Sequence, residues 1–368
     1  MSFFSDILHR TSKQALGIDI GSSSIKVVQL EKKGDRAVLN TYGELSLGPY
    51  GGVSIGQSIN LPTEKIIQAV NDLLAEKEVA LTTRVSGLAI PFRASLLSVI
   101  EMPAIGEKEL QTMVPIEARK YIPVPLSEVT IDWSVVPKQE NEDEIMPPKD
   151  PSRLKTIDIL LVAIHNNIIN QYKEVVGKTG LDARFFEIEV FSSMRAVLEG
   201  VVGPLMIFDM GASTTKLYII DRGLVHSSHT INKGSQEITA NIARIAAISI
   251  EEAEVLKRSI GMGQTSTGVD LSEAVGVVAE QIFSEANRFL FEFQKKHNHN
   301  IKSVFLTGGG SALRGFRDLA ALNFKVEVVS ADPFEKVETP AFLQEVLKVT
   351  GPEFAVAVGV ALRCLGEL

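Results

Sequence analysis

The chain has 368 residues, of which 45% are hydrophobic and 22% are charged, and its formal net charge is -8. This length and ordinary globular composition predict two or more domains, each with its own core. The acidic balance and the absence of a Lys/Arg-rich stripe disfavour a nucleic-acid partner. The single cysteine, Cys364, excludes an intramolecular disulfide, and no apolar run approaches the roughly 20 residues that span a bilayer.

Two segments are expected to lie outside the folded core. The N-terminal MSFFSDILHR lacks the charged start and apolar centre of a signal peptide. A loose tail is favoured there over a membrane-surface or docking helix built on Phe3, Phe4, Ile7 and Leu8. The stretch 137–153 is charged and Pro-rich, which predicts a mobile loop.

An internal repeat relates the two halves of the chain. The segment 18–30, IDIGSSSIKVVQL, aligns without gaps with 208–220, FDMGASTTKLYII, so that Asp19 matches Asp209. Each copy predicts a strand, a turn of small residues and an apolar second strand. The other identical pairs are Gly21 and Gly211, Ser23 and Ser213, and Lys26 and Lys216.

The residue types of the repeat indicate phosphate chemistry. A turn of Gly, Ser and Thr lets the backbone approach a phosphate and direct N–H groups at its oxygens. The aspartate two residues before the glycine ends the first strand, where it can hold a hydrated Mg²⁺. One such hairpin would also fit an ordinary small turn, but two matched copies predict a site that grips a triphosphate from both sides.

A third turn, LTGGGSALRGF at 306–316, follows an apolar strand-like run and leads into a predicted helix. Three consecutive glycines at this place leave room for a flat ligand against the backbone. A flexible strand-to-helix turn is the alternative interpretation of this motif alone.

These three motifs, in this order, resemble the superfamily of actin, heat-shock-70 proteins and sugar kinases. The resemblance implies phosphate motifs at Asp19–Lys26 and Asp209–Lys216 and an adenosine motif at Gly308–Gly315. It also implies two connecting helices, expected at Glu187–Leu198 and Phe354–Leu365. The implied fold is α/β: an actin-like, ribonuclease H-like duplication in which two lobes surround a nucleotide cleft.

Within the superfamily the sequence is similar to the PilM family of type IV pilus assembly proteins. The similarity rests on GIDIGSSSIKVVQL, on IPVPLSEVTIDW at 122–133 and on the segment 160–190. The family implies a small inserted subdomain that it shares with the cell-division protein FtsA. The expected boundaries are 16–87, 155–203 and 351–368 for the first lobe, 88–154 for the inserted subdomain, 204–232 and 303–350 for the second lobe, and 233–302 for its outer part.

The resemblance also implies cofactors, partners and a location. ATP and Mg²⁺ are expected in the cleft, and the N-terminal cytosolic peptide of a PilN-like inner-membrane protein is the expected partner. Pilus motor ATPases are further candidate partners, and a homo-oligomer is left open. The implied location is the cytoplasm, peripheral to the inner membrane through protein partners. The leading hypothesis is therefore a scaffold whose partner binding depends on bound nucleotide.

Individual roles follow from the same resemblance. Asp19 and Asp209 would organise Mg²⁺ through water, and Lys26 matches a phosphate-contacting lysine of actin. The phosphate cradles are assigned to Gly21, Ser22, Ser23 and Ser24 and to Gly211, Ala212, Ser213 and Thr214. The adenosine side is assigned to Gly308, Gly309 and Gly310 and to Lys233, Glu237, Glu254 and Lys257.

Two assignments have alternatives. Glu254 and Lys257 share a helix face and could equally form a surface salt bridge. Glu189 lies where superfamily members often place the residue that orients the attacking water, but it could be structural, with Glu187 better placed. Because neither a certain base nor an arginine finger is evident, ATP hydrolysis is expected to be slow at most.

Two other functions are weighed against the scaffold. An FtsA-like membrane-tethered division filament would require a basic amphipathic C-terminal helix, whereas this sequence ends in CLGEL directly after the second connecting helix. A sugar-kinase-type phosphotransferase would require an aspartate base beside a sugar pocket and longer insertions. Neither feature is evident in the sequence.

Overall fold

The computed structural model describes residues 13–136, 156–198, 203–266 and 268–368. The predicted N-terminal tail and the predicted loop at 137–153 lie outside these residues. The chain divides into two compact units, of which the smaller is Ile90–Glu174 and the larger combines residues 1–89 with 175–368.

The described residues form strands and helices in a mixed order along the chain. The strands are β1 Gln14–Ile20, β2 Ser24–Lys33, β3 Arg36–Ser46, β4 Val85–Ile90, β5 Ser95–Pro103, β6 Val129–Val136, β7 Thr156–His165, β8 Asp182–Ile188, β9 Leu205–Met210, β10 Thr215–Asp221, β11 Leu224–Ile231, β12 Ser303–Thr307 and β13 Glu327–Ser330. The helices are α1 Thr63–Ala75, α2 Glu107–Ala118, α3 Asn166–Thr179, α4 Glu189–Val197, α5 Ser235–Ala246, α6 Ile250–Ile260, α7 Leu271–His297, α8 Phe316–Asn323, α9 Gln344–Thr350 and α10 Ala355–Gly366.

Two five-stranded sheets in the larger unit repeat one topology. Their strand orders are β3-β2-β1-β4-β8 and β11-β10-β9-β12-β13. In each sheet the central strand pairs antiparallel with the next strand in sequence and parallel with a strand that follows a helical connection. This pairing places Asp19 opposite Lys26 in the first sheet and Asp209 opposite Lys216 in the second. The sequence repeat is therefore a structural repeat.

The first predicted connecting helix is shorter than the sequence suggested. Glu187–Leu198 was too long a prediction, because Glu187 still belongs to β8 and Ile188 has the extended angles φ -65° and ψ 131°. The helix ends at Val197, and the next residue, Leu198, is again extended with ψ 124°. The second connecting helix is α10, shifted by one residue from the predicted Phe354–Leu365.

Small residues let α10 pack closely against β1 and α4. Residues 355–361 are buried and consist of Ala, Val and Gly. A Cβ atom on Gly17 of β1 would overlap the carbonyl oxygen of Ala357, and a Cβ atom on Gly359 would overlap that of Ser192. The helix axis can approach both neighbours only because these two positions carry no side chain.

The second sheet is covered by α7 and α8 through an aromatic cluster. Phe208 of β9 has ring centroids of Phe283, Phe316 and Phe324 at 5.9, 6.2 and 5.9 Å. The apolar stripe along α7 packs into the core of the larger unit. Its buried members include Val275, Val278, Ile282, Ala286, Leu290 and Phe293.

The smaller unit, Ile90–Glu174, contains an antiparallel sheet of three strands in the order β5-β7-β6. Helix α2 buries Leu110 and Val114 in the core of this unit. The same helix leaves Met113 43% and Ile116 58% exposed, so it also carries large apolar side chains on its outer side. The predicted boundaries of the inserted subdomain and of the two lobes stay predictions.

One described stretch, Ala341–Gly366, is long and apolar enough to cross a bilayer, which the sequence analysis did not predict. Its most apolar 18-residue window has a mean hydropathy of 1.3, and 67% of that window is buried. The stretch contains α9 and α10, and α10 packs into the core beside β1 and α4. Burial of this kind is expected of the core segment of a folded domain.

The crossing of α10 with α4 should not tolerate a methyl group. We expect Gly359→Ala to lower the free energy of unfolding by about 2–3 kcal/mol, because the carbonyl of Ser192 must move. The matched control is Gly276→Ala in α7, where a Cβ atom meets nothing within 4 Å. That change should stabilise the helix by roughly 0.5–1 kcal/mol. Urea unfolding followed by circular dichroism distinguishes the two, and equal midpoints would contradict this account of the crossing.

Candidate functional site

A cavity of about 340 Å³ opens within the larger unit, where the central strands of its two sheets end. Both hairpin turns and the glycine-rich turn after β12 line it. The predicted site residues in its wall are Asp19, Gly21, Ser22, Ser23, Ser24, Lys26, Glu189, Asp209, Gly211, Ala212, Thr214, Glu254, Lys257, Gly308, Gly309 and Gly310. Ligands in open α/β sheets commonly bind at the carboxyl ends of strands.

The two hairpin turns have the same backbone geometry. The Gly21 N–H donates to the Ser24 carbonyl at 2.9 Å, and the Gly211 N–H donates to the Thr214 carbonyl at 2.9 Å. The turns also meet, since the Ser213 hydroxyl lies 3.3 Å from the Ser22 hydroxyl. Ser213, although absent from the cavity wall as described, therefore belongs to the same constellation.

The glycine-rich turn lies against the second aspartate. Gly308 has φ +81°, and a Cβ atom on it would overlap Asp209 Oδ1. The Gly310 N–H donates to the Met210 carbonyl at 2.8 Å, which ties this turn to the end of β9. A glycine is needed at 308 both for its backbone angle and for its distance from the carboxylate.

Acidic and basic side chains alternate across the cavity. Lys216 Nζ lies 2.7 Å from Glu189 Oε2 and 3.4 Å from Asp209 Oδ2. Lys26 Nζ lies 3.1 Å from Glu44 Oε1 and 2.8 Å from the Ser24 hydroxyl. The two lysines that the repeat aligns therefore face different acids.

The pKa values in the cavity are displaced by burial and by neighbouring charge. Burial and then the charge of Glu189 raise the pKa of Asp19 to about 6, although Lys26 and Lys216 act in the opposite direction. Burial alone would lower the pKa of Lys216, but Glu189 and Asp209 outweigh it and raise that pKa above its ordinary value. The cluster therefore holds excess negative charge that a bound cation would relieve.

The pair Glu254 and Lys257 is buried, which excludes the surface salt bridge that the sequence left open. The two residues are 4% and 7% exposed, and their Oε2 and Nζ atoms are 2.6 Å apart. The Thr239 hydroxyl contacts both groups: it donates to Glu254 Oε2 at 2.7 Å and accepts from Lys257 Nζ at 2.8 Å. This buried polar group forms one wall of the cavity.

Lys233 and Glu237, in contrast, are engaged outside the cavity wall as described. The Glu237 carboxylate accepts the Gly234 N–H at 2.7 Å and closes a capping box at the start of α5. Lys233 Nζ donates to the side-chain oxygen of Gln281. Their predicted contact with the nucleotide finds no geometric support in this arrangement.

Glu187 and Glu189 are separated by the structure. Glu189 lines the cavity, whereas Glu187 accepts two bonds from Arg195, at 2.7 and 2.8 Å, and one from Arg363 at 2.6 Å. Glu187 also accepts the Ser192 hydroxyl at 2.6 Å. It therefore joins β8, α4 and α10, and of the two glutamates only Glu189 is placed to face a ligand.

Several residues of the cavity wall were missed by sequence reasoning. They include Glu44, Ser235, Arg258 and Glu353. Lys216 also lines the wall; the predicted second phosphate motif contained it, but no individual role was assigned to it. Glu44 and Glu353 come from segments without a motif, and only the packing of β3 and of the residues before α10 brings them to the cavity.

A segment between β3 and α1 crosses from the first hairpin towards α5 and α6. The N–H groups of Leu47 and Ile59 donate to the carbonyls of Ser23 and Ser22, both at 2.8 Å. Its Ser58 N–H donates to Gln236 Oε1 at 3.1 Å. The first phosphate turn is thereby connected to the helix that follows the second one.

Asp19 should make the stability of the empty protein depend on pH. Its folded pKa of about 6 exceeds the ordinary 3.8, so the unfolded chain loses this proton first and stability falls as the pH rises between those values. Asp19→Asn removes the ionisable group and with it this loss of stability. The change should therefore raise the urea midpoint of unfolding at pH 7 but not at pH 4. One pKa unit is about 1.4 kcal/mol, so the gain is at most about 3 kcal/mol.

The control for this change is Asp318→Asn, whose side chain is 85% exposed. It should leave the urea midpoint nearly unchanged at both pH values. Measurements without nucleotide and metal are required, since a bound cation favours the ionised carboxylate. An Asp19→Asn protein that is less stable than the native protein at pH 7 would show that the carboxylate is a net stabilising group.

Comparison with known proteins identifies the family. The family model described as Type IV pilus assembly protein PilM matches residues 17–365. A solved PilM-PilN type IV pilus biogenesis complex has a chain that is 25% identical with a TM-score of 0.75, over 95% of this chain and 98% of that one. The ethanolamine utilization protein EutJ of Carboxydothermus hydrogenoformans, 17% identical with a TM-score of 0.54 over 95% and 89% of the two chains, shares the fold.

The cell-division protein FtsA of Enterococcus hirae is 24% identical over 351 residues, which are 85% of this chain and 77% of that protein. The predicted actin-like fold, with two α/β lobes, is confirmed by the structural matches. Because the family model covers nearly the whole sequence, the chain belongs to the PilM family of type IV pilus assembly proteins.

Proposed function

We propose that the protein is an actin-like scaffold of type IV pilus assembly that binds Mg-ATP in the cavity. The observation that carries the proposal is the meeting of two matched phosphate-type hairpins on one cavity, with an aspartate at the end of each central strand. The family match indicates pilus assembly as the process. The related division protein supports an FtsA-like function less well, because the family model matches the chain almost throughout.

The residues present fit a magnesium-bound nucleotide. The backbone N–H groups and hydroxyls of both turns would bind phosphate oxygens, and the carboxylates of Asp19 and Asp209 would hold the hydrated cation. The glycines 308–310 would approach the ribose and α-phosphate, and the buried Glu254–Lys257 pair would lie towards the base. When bound, Mg²⁺ would supply charge that neutralises the phosphates and the acidic cluster.

Slow turnover is consistent with the position of Glu189. Its Oε2 atom contacts the Lys216 ammonium at 2.7 Å, and while this contact is kept that oxygen is not available to accept a proton from an attacking water. We therefore infer an upper limit of slow ATP hydrolysis for this protein. Rapid multiple turnover with a small-molecule acceptor would instead favour a phosphotransferase and contradict the scaffold.

The proposed partner is the N-terminal cytosolic peptide of a PilN-like inner-membrane protein. The related structure is a complex of PilM with PilN, and the smaller unit of this chain carries exposed apolar side chains on α2 that suit an amphipathic or extended peptide. Binding of this peptide would hold the protein at the cytoplasmic side of the inner membrane. Pilus motor ATPases and a homo-oligomer belong to the same proposal as further contacts.

Asp209 tests the nucleotide site. We expect Asp209→Asn to weaken binding of a fluorescent ATP analogue in millimolar Mg²⁺ by at least about tenfold, because a carboxylate that organises the cation is lost. In EDTA the same change should not weaken binding, since it removes a negative charge beside the phosphates. The loss should therefore be specific to magnesium.

The matched control for Asp209 is Asp221→Asn. Asp221 is an equally buried aspartate, 7% exposed, on the neighbouring strand and contacts His299 at 3.8 Å rather than the cavity. It should leave the affinity for Mg-ATP unchanged. If the native protein does not bind Mg-ATP at millimolar concentration, the proposed nucleotide site is refuted.

The exposed side of α2 tests the partner. The double change Met113→Glu and Ile116→Glu should weaken binding of a PilN-like N-terminal peptide by at least about tenfold, because it places charge on an apolar contact surface. The control is Phe291→Glu in α7, a side chain of similar exposure, 63%, in the larger unit. Fluorescence anisotropy of a labelled peptide, with and without Mg-ATP, gives both affinities.

Coupling between the two ligands is expected to be reciprocal. If Mg-ATP changes peptide affinity by a given factor, the peptide must change ATP affinity by the same factor. If the peptide affinities with and without Mg-ATP are equal, the proposed scaffold function stands, but the proposed dependence of partner binding on nucleotide is contradicted. Equal peptide affinities of the α2 variant and the native protein would exclude α2 as the contact.

A further inference from the structure

The ammonium of Lys216 lies where acidic side chains of the cavity converge. Its Nζ contacts Glu189 Oε2 at 2.7 Å and Asp209 Oδ2 at 3.4 Å. Asp19 interacts electrostatically with this ammonium and with both of those carboxylates. The side chains of Lys216, Glu189 and Asp209 are only 18%, 8% and 10% exposed, so solvent screens these charges weakly.

The equivalent lysine of the first hairpin does not share this position. Lys26 stands opposite Asp19 in the strand register, but its ammonium contacts Glu44 at 3.1 Å and the Ser24 hydroxyl at 2.8 Å. The duplicated turns have thus diverged in what their lysines contact. Lys216 contacts Glu189 and Asp209, whereas the Lys26 ammonium is paired with Glu44 of β3 in the cavity wall, from where its charge also acts on Asp19.

We propose that Lys216 is an internal counter-ion that takes the place of a divalent cation in the nucleotide-free protein and keeps free metal out of the acidic cluster. An ammonium and a hydrated divalent cation cannot share one position between the same carboxylate oxygens. A nucleotide offers the ammonium phosphate oxygens as new partners and offers the metal additional ligands. Metal would consequently enter only together with nucleotide.

The donor set explains why the metal would also need the oxygens of the nucleotide. Within the described residues, no three His, Cys, Asp or Glu side chains are arranged to hold a metal ion by themselves. Mg²⁺ characteristically uses one or two protein carboxylates and completes its shell with water and substrate phosphates. The inference rests on the proposed nucleotide function, and it adds that a residue outside the assigned set controls when the metal binds.

The test measures Mn²⁺ binding to the full-length protein without nucleotide, by the loss of the free-ion signal in electron paramagnetic resonance. Native protein and Lys216→Arg, which keeps the cation, should bind Mn²⁺ at least about tenfold more weakly than Lys216→Met. Lys336→Met is the control and should behave as the native protein, because the Lys336 ammonium donates to the carbonyls of Arg195 and Leu198 and is not part of the cavity wall as described. Addition of ADP should produce Mn²⁺ binding in the native protein.

Mg²⁺ alone should also raise the melting temperature of Lys216→Met, by at least about 3 °C, and leave that of the native protein unchanged. The inference is overturned if native protein binds free Mn²⁺ as tightly as Lys216→Met, or if Lys336→Met gains the same affinity. Should Lys216→Met fail to fold, the test rests on Mn²⁺ binding by the native protein and by Lys216→Arg, each measured with and without ADP. Mn²⁺ binding that requires ADP in both supports the counter-ion, and tight binding without ADP refutes it.

The outcome is separable from that of the proposed function. A native protein that binds no ATP, while Lys216→Met gains Mn²⁺ affinity, would refute the nucleotide site and leave the counter-ion intact. A native protein that binds Mg-ATP, while Lys216→Met shows no gain, would support the nucleotide site and refute the counter-ion.

Discussion

Burial of several carboxylates at the ends of two central strands is the constraint on which this structure depends. Asp19 and Asp209 end β1 and β9, and Glu189 begins α4 beside them. Burial, and after it the charge of Glu189, raise the pKa of Asp19 to about 6. Ion pairs of Lys216 with Glu189 and of Lys26 with Glu44 place compensating positive charge beside these acids.

Helix α4 carries the connection between this charged cluster and the packing of the larger unit. Its first residue, Glu189, reaches Lys216 of the second sheet, while its next turn places Ser192 against Gly359 of α10. Glu187, immediately before the helix, binds arginines of both α4 and α10. A buried charge with several donors on two elements holds their relative position more strictly than apolar contact alone. The geometry of the cavity therefore depends on how α10 crosses α4.

The two halves of the repeat keep the same backbone but have acquired different surroundings. Both turns close with one hydrogen bond of 2.9 Å between the glycine N–H and the residue three positions later. Beyond them, the first turn is tied to the segment that includes Leu47 and Ile59, and the second to the N-terminus of α5. A nucleotide held by both turns would contact elements on each side, so that its binding energy can favour one arrangement of them.

The sequence by itself determined the fold class and about half of the cavity wall, because two ungapped copies of a strand–turn–strand motif and a triple glycine are local patterns whose backbone requirements are strict. It also predicted α10 to within one residue, since its small apolar residues are consecutive. Tertiary structure decided what no local pattern encodes: that Glu254 and Lys257 are buried, that Glu187 binds arginines while Glu189 faces the cavity, and that Glu44 and Glu353 reach it at all. It also decided that two aligned lysines contact different acids. Ion pairs of this kind join residues far apart in the chain, and their partners are chosen by the packing of whole elements rather than by spacing along one of them.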